Sequence, residues 1–417
     1  MTDHDVADLA LAERGRRRTD WAERQMPVLR KVRERFAHER PLAGLRIAAG
    51  LHVTTETAVL MRTLCAGGAD VALCGSNPLS TRDDVCATLV VDDALPVFAR
   101  YGEDLEAYYR HVAQVLDRRP HLVMDDGADL IVKLHEQPHA AALVGGVEET
   151  TTGVNRVRAM SRQGALRFPV VAVNDTPTKR RFDNRYGTGQ NTVDGILRST
   201  NVLLAGKVAV VAGYGWVGRG IALRLRGMGA NVICTEVSPI AALEALMDGY
   251  RIMTMADAVR EADLIVTATG GLEILRREHF ADLKDGVLLA NSGHFDVEID
   301  VEGLRATAVA RTRMRDHVEE YLLPTGQRVY LLAEGRLVGQ AAAEASPASV
   351  MDLSFAAQAL AAEWLAMHHG RLSPTVHALP EELDDGIARL KLEALGVRID
   401  ALTPRQVEYG AAWRAGT

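Results

Sequence analysis

Residues 207–213 (KVAVVAG) are a short apolar run rich in valine. The chain then reads Gly213-Tyr214-Gly215-Trp216-Val217-Gly218 and passes into a helical stretch, RGIALRLRGMGA. That order leaves the backbone few options. Gly213 permits a tight turn, Gly215 lets backbone approach a pyrophosphate, and Gly218 lets helix pack on strand. Trp216 and Val217 open the helix, whose N-terminal N–H groups then face phosphate. Glu236 ends the next strand-like run (NVICTE, 231–236), where the ribose hydroxyls of a dinucleotide are held. An acid there repels a 2′-phosphate, so the expected cofactor is NAD+ rather than NADP+. Thr267, Thr269, Gly270 and Asn291 fall at the ends of DLIVTATG (263–270) and GVLLANSG (286–293), on the same crevice. Strand-end packing accounts equally well for any one of them alone.

An earlier series of apolar runs alternates with helical patterns in the same way. It comprises RIAAGLHV (46–53), DVALCGS (70–76), LPVFA (95–99), HLVMDD (121–126), AALVGGV (141–147) and FPVVAVND (168–175). Such alternation predicts parallel sheets covered by helices on both faces. The fold class is therefore α/β: two doubly wound parallel-sheet domains, the second a Rossmann NAD-binding domain. The expected boundaries are 1–182 for the first part of the substrate domain and 183–345 for the cofactor domain. Residues 346–395 return as helices to the first domain, and 396–417 form a tail. Residues 8–37 read as one helix with Trp21, Met26, Leu29, Val32 and Phe36 near helical spacing.

Composition excludes several functions. A net charge of −7 gives no basic field for nucleic acid, and 5% aromatic residues give few stacking platforms. No apolar run is long enough to span a membrane, and the N-terminal segment lacks a signal-peptide pattern, so the expected location is cytoplasmic. Cys65, Cys74, Cys86 and Cys234 show neither redox nor zinc spacing and read as reduced thiols.

Polar residues gather at strand ends in the first series. His52, Thr54 and Glu56 follow the first run, Asp126 and Asp129 the fourth, and Glu148-Glu149-Thr150-Thr151-Thr152-Gly153 the fifth. Asp and Thr in such places are also ordinary helix N-caps. After Thr176-Pro177, Lys179 and Asp183 are spaced to share a helix face, as a solvated pair would be. DDGAD and STRDD lack calcium-loop spacing, and His135 with His139 lack a third ligand, so no catalytic metal is expected.

Taken in order, HVTTETAVL, GSNPLSTRDD, DDGADL, EETTTG, VND…KRRFDNRYG, GKVAVVAGYGWVGRG, TEVSPI, SGHFDVEID and LLAEGRLV resemble the S-adenosylhomocysteine hydrolase family. The resemblance runs from about residue 20 to the end. The YGTGQ segment and the short ending resemble the family's compact archaeal branch; the longer branch adds a C-terminal lysine and tyrosine. The resemblance implies tightly held NAD+ that is used and regenerated in each turnover. Oxidation of the sugar 3′-hydroxyl acidifies C4′–H, a base removes that proton, the group at C5′ leaves, and the ketone is reduced again.

Carried over by position, Lys179 and Asp183 would handle the 3′-hydroxyl proton, with Glu149 on the ribose. A lysine acting as base needs a depressed pKa. Asp126 and His52 would serve C4′ and the leaving group, and His294 with Phe295 the access gate. Thr54 and Glu56 would read adenine, with Ser80 and Asp129 also on the substrate side. Thr150, Thr151, Thr152, Asn184 and Glu236 would hold NAD+, as would Thr269 and Asn291. The family forms tetramers, so a homo-oligomer is expected.

Two departures concern the segment after LLAEGRLV. The family's Asn, which supports the nicotinamide carboxamide, is Gly339 here, and its Gly-His-Pro is Ala345-Ser346-Pro347. Gly50, Ser238 and Ala241 also differ from the usual pattern. Losses around the leaving group with the oxidation residues kept suggest a nucleoside dehydratase that expels water and leaves an alkene, as in converting angustmycin C to angustmycin A. The alternatives are an authentic S-adenosylhomocysteine hydrolase and an inactive NAD-binding regulatory homologue.

Overall fold

The computed structural model describes residues 4–137 and 143–413. Its first strands are β1 (Arg46–Leu51), β2 (Asp70–Gly75), β3 (Val97–Phe98), β4 (Leu122–Asp125), β5 (Gly145–Glu148) and β6 (Val170–Ala172). The second series is β7 (Val208–Ala212), β8 (Asn231–Thr235), β9 (Arg251–Ile252), β10 (Leu264–Thr267), β11 (Val287–Asn291), β12 (Ala310–Arg315), β13 (Val318–Leu322) and β14 (Arg328–Leu332). A last short strand, β15 (Val376–His377), returns to the first sheet.

Among the described residues the first sheet has the order β15-β6-β5-β4-β1-β2-β3 and every pairing is parallel. The second has the order β12-β13-β14-β11-β10-β7-β8-β9. It is parallel from β14 through β9, while β12, β13 and β14 form an antiparallel edge. The two doubly wound sheets match the expected class, and the antiparallel edge is an addition that helical alternation did not announce. In each sheet the winding direction reverses next to the first strand, between β1 and β4 and between β7 and β10. Such switch points leave a crevice at the strands' carboxyl ends, where ligands bind in open α/β sheets.

Apolar residues pack on both faces of each sheet, in keeping with strands that are buried on both sides. The helix Ala348–Met367 carries the chain back into the first core, burying Leu353, Phe355, Ala356, Leu360 and Leu365. The single helix expected over 8–37 is instead two, Ala12–Glu23 and Pro27–Glu39. Proline at residue 27 offers no N–H and bars Met26 from helical geometry, so the chain breaks there. Trp21, expected on the buried face, is 68% exposed. No helix among the described residues is long and apolar enough to cross a membrane.

Candidate active site

The turn after β7 has the conformation the glycines require. Gly213 sits at φ 94°, and a Cβ on Gly218 would lie 1.9 Å from the Gly213 carbonyl oxygen. Over Gly215 no atom of the described residues lies within 4 Å of where a Cβ would be, and no side chain caps the helix Trp216–Gly227 that follows. That open, uncapped helix start is a cradle shaped for a pyrophosphate. Glu236 accepts from the backbone N–H groups of Tyr214, Val237 and Ser238. Burial opposes its charge, but these three bonds outweigh burial and hold its pKa below the ordinary value.

One cleft of about 340 Å³ is lined from both halves of the molecule. From the cofactor half come Gly215, Trp216, Val217, Thr269 and Gly270. Thr150, Thr151 and Thr152 face it from the start of the helix Thr151–Arg162. His52 and Thr54 after β1, Asp126 after β4, Glu149 after β5 and His294 after β11 complete the polar wall.

Lys179 and Asp183 lie on Lys179–Thr188, a π-helical segment that continues as the helix Gly189–Thr200. Such wide turns recur at functional sites. Both side chains are buried, with Lys179 Nζ 3.1 Å from Asp183 Oδ2 and 3.6 Å from Glu149 Oε1. Nζ also donates to Asn184 Oδ1 at 2.6 Å. Asn184 in turn donates to Asn174, which accepts from Thr151, so a chain of amides and hydroxyls joins the lysine to the threonine loop. The depressed pKa that a lysine base would need is not what this environment gives. Burial presses it down, but Asp183, Glu149 and Asp126 together raise it, so the ammonium keeps its proton. Glu149 goes the other way: burial lifts its pKa to about 8 despite Lys179, while Gln358 Nε2 donates to it at 2.6 Å.

A second cluster faces this one. His52 Nε2 is 3.5 Å from one Asp126 oxygen and His294 Nδ1 is 3.6 Å from the other. Burial lowers the pKa of both imidazoles, that of His294 to about 4, so both are neutral near pH 7. Ser80 Oγ at 2.6 Å and Ser76 Oγ at 3.1 Å both hydrogen-bond with His52 Nδ1 and hold the imidazole in place. Its other nitrogen, Nε2, is turned toward Asp126. The three ligand atoms lie within 4.8 Å of one another, a donor set able to take a metal ion. Sequence spacing could not show it, because the three residues come from three separate strand ends. His139, paired with His135 in the sequence reading, falls outside the described residues.

Other expected site residues lie behind the wall. Ser80 buttresses His52 and is not part of the cleft lining. Glu56 is buried on the helix Thr55–Ala66, with burial raising its pKa. Asp129 accepts from Tyr108 and Arg156, and Arg156 stacks on Phe295. Asn291, expected on the cofactor, spends its amide on Gly293, Phe295 and Gly335 carbonyls while accepting from Thr267 and Gly293. It therefore braces the strand ends in place of lining the cleft. The sequence reading missed Asn191 and Gln358, whose amide groups carry no motif of their own.

The sheets, the glycine cradle and the shared cleft define a two-domain α/β enzyme that binds NAD. Residues 3–144 match the family model described as S-adenosyl-L-homocysteine hydrolase, and residues 184–345 match that of its NAD binding domain. An adenosylhomocysteinase of Aquifex aeolicus is 58% identical over 415 residues, covering 99% of each chain. One from Sulfurisphaera tokodaii is 55% identical over 415 residues, covering 100% of each. The chain belongs to the S-adenosyl-L-homocysteine hydrolase family. Among solved structures, a dipicolinate synthase polypeptide from Bacillus halodurans is similar at a TM-score of 0.49 and 13% identity, covering 78% of this chain and 99% of that one.

Proposed function

We propose that this enzyme runs a redox-neutral elimination on the sugar of an adenine nucleoside: oxidation of a ring hydroxyl, loss of the adjacent proton, expulsion of the group at C5′, and re-reduction. Bound NAD+ supplies the hydride acceptor and returns the hydride at the end, so no net oxidant is consumed. The observation that carries this reading is the pairing of two opposed acid–base clusters in one cleft beside the dinucleotide cradle.

Lys179 holds its proton, so the sugar hydroxyl's proton passes to Asp183, whose Oδ1 is buried without a hydrogen-bond partner among the described residues. Lys179 and Glu149 bind and orient the ribose hydroxyls. Across the cleft, Asp126 and His52 take the C4′ proton and protonate the departing group. The ketone makes that proton acidic enough to remove. Thr54 reads adenine with Glu56 behind it at the start of the same helix, and Thr150, Thr151, Thr152, Asn184 and Glu236 hold the cofactor. A cofactor domain spanning 183–345 closes about its two crossings and excludes water while the ketone exists.

The names of the relatives favour S-adenosylhomocysteine as substrate, with water added before reduction and homocysteine released. A second reading has one observation in its favour. The crossing at 345–347 brings an alanine and a serine to the cleft, and the Ser346 hydroxyl accepts from Asn191. This crossing thus contributes no imidazole at the leaving-group end, which suits a dehydratase that expels water and stops at the alkene. Incubation with S-adenosylhomocysteine and, separately, with a hydroxylated adenine nucleoside decides between them. Homocysteine release supports hydrolysis; an alkene lighter by one water supports dehydration. A homo-oligomer in the cytoplasm goes with either reading; the exposed apolar residues Val397, Ile399, Leu402 and Val407 near the C-terminal end support the oligomer.

A further inference from the structure

The second crossing between the sheets passes against the helix Gly189–Thr200, and the contact leaves no room for side chains. A Cβ on Gly339 would lie 2.2 Å from Asn191 Oδ1 and 2.9 Å from the Asn191 carbonyl carbon. At Gly195, one turn on, a Cβ would lie 2.5 Å from the Val338 carbonyl oxygen. The volume over Gly339 is therefore filled by the amide of Asn191.

Asn191 is 4% exposed yet lines the cleft with Ser346 and Ser292. Its Nδ2 donates to Ser346 Oγ at 3.2 Å. Its Oδ1 has only a 3.5 Å contact from Thr192 Oγ1, whose better partner is Ser292 Oγ at 2.8 Å. Among the described residues, one N–H and nearly the whole acceptor capacity of this buried amide remain unspent, which is costly unless a ligand uses them. A primary amide offering one donor and one acceptor is complementary to another carboxamide. NAD carries one on its nicotinamide ring. An adenine edge offers similar complementarity, but the Thr192–Ser292 bond ties Asn191 to the end of β11, beside the Ala268–Gly270 loop of the cofactor crevice.

We propose that Asn191 is a cofactor-binding residue whose amide pairs with the nicotinamide carboxamide, held in register by Ser346 and given its place by glycine at 339. Positions 191 and 339 then share one amide between them: either side can supply it, but not both. This inference rests on NAD as cofactor and is independent of the leaving group.

The test compares binding of NAD+ with 3-acetylpyridine adenine dinucleotide, which keeps the carbonyl and lacks the amide N–H. The wild-type enzyme should hold NAD+ roughly tenfold or more tightly over the analogue. Asn191→Ala should lose that preference, and Gly339→Ala should lose it too by displacing Oδ1. The double change N191S with G339N should regain it, because the amide returns from the other side. Should Gly339→Ala fail to fold, Asn191→Ser alone gives the same reading, since it removes the amide without adding bulk against Gly339. The proposal is overturned by a wild-type enzyme with no preference, by a folded Asn191→Ala or Asn191→Ser protein that keeps it, or by a double variant no better than G339N alone.

Discussion

Lys179 Nζ stands 3.1 Å from Asp183 Oδ2, both groups buried, with the carboxylate's other oxygen lacking any hydrogen-bond partner among the described residues. The ion pair leaves the lysine charged and an acceptor free beside it. Asp183→Asn keeps an acceptor oxygen but replaces the carboxylate base with an amide that cannot take the proton. We expect the rate of substrate oxidation to fall by roughly two to four orders of magnitude, the range for loss of a positioned base. Rapid-mixing absorbance of reduced nicotinamide measures it, and an unchanged rate would remove Asp183 from the step.

Glu149 carries a consequence for stability. Its pKa in the folded protein is raised by burial to about 8 from an ordinary 4.5. The folded state therefore binds its proton more tightly than the unfolded state does. The associated stabilisation is complete below about pH 4.5 and is lost as pH rises through about 8. Against Glu149→Gln, which keeps an acceptor for Gln358, the wild-type protein should lose relative thermal stability across that window. Parallel melting profiles of the two proteins would contradict the assignment.

Ser80 acts through His52. Ser80→Ala removes the shorter of the two hydroxyl contacts that hold the imidazole, leaving Ser76 Oγ 3.1 Å from Nδ1. Loss of C4′ deuterium to solvent should slow by about tenfold, while the rate of nicotinamide reduction stays near wild type. If both rates fall together, Ser80 is not specific to His52.

The π-helical segment is locked to the cofactor domain by a close backbone contact. A Cβ on Gly220 would lie 1.8 Å from the Arg185 carbonyl oxygen. Gly220→Ala should cost about 1–3 kcal/mol in denaturant unfolding and shift the Lys179–Asp183 pair. A variant of unchanged stability would show that this contact yields easily.

Much of this architecture was legible in the chain. The turn at Gly213–Gly218 follows from three glycines whose backbone needs are strict, and the strand-end clusters follow from the alternation of the two series. The break at Met26–Pro27 was missed in reading 8–37 as one helix, although proline at the start of a helix bars the residue before it. What the sequence could not show is tertiary. The charge of Lys179 depends on three carboxylates converging from separate elements. The orientation of His52 depends on Ser80 reaching it from the loop after β2. Asn291 sits where a ligand contact was expected, but neighbouring backbone consumes its amide. Motif spacing reports which residues reach a strand end and is silent on what already occupies them.

The central claim is that one cleft oxidises and then re-reduces the same nucleoside. Rapid mixing of the NAD-loaded enzyme in deuterated water with S-adenosylhomocysteine, and separately with a hydroxylated adenine nucleoside, tests it directly. The expected result with at least one of them is reduced-nicotinamide absorbance that rises and then decays, with deuterium entering C4′ of recovered nucleoside. Absorbance that never rises with either compound, or rises and stays with one oxidised nucleoside released per turnover, would contradict it.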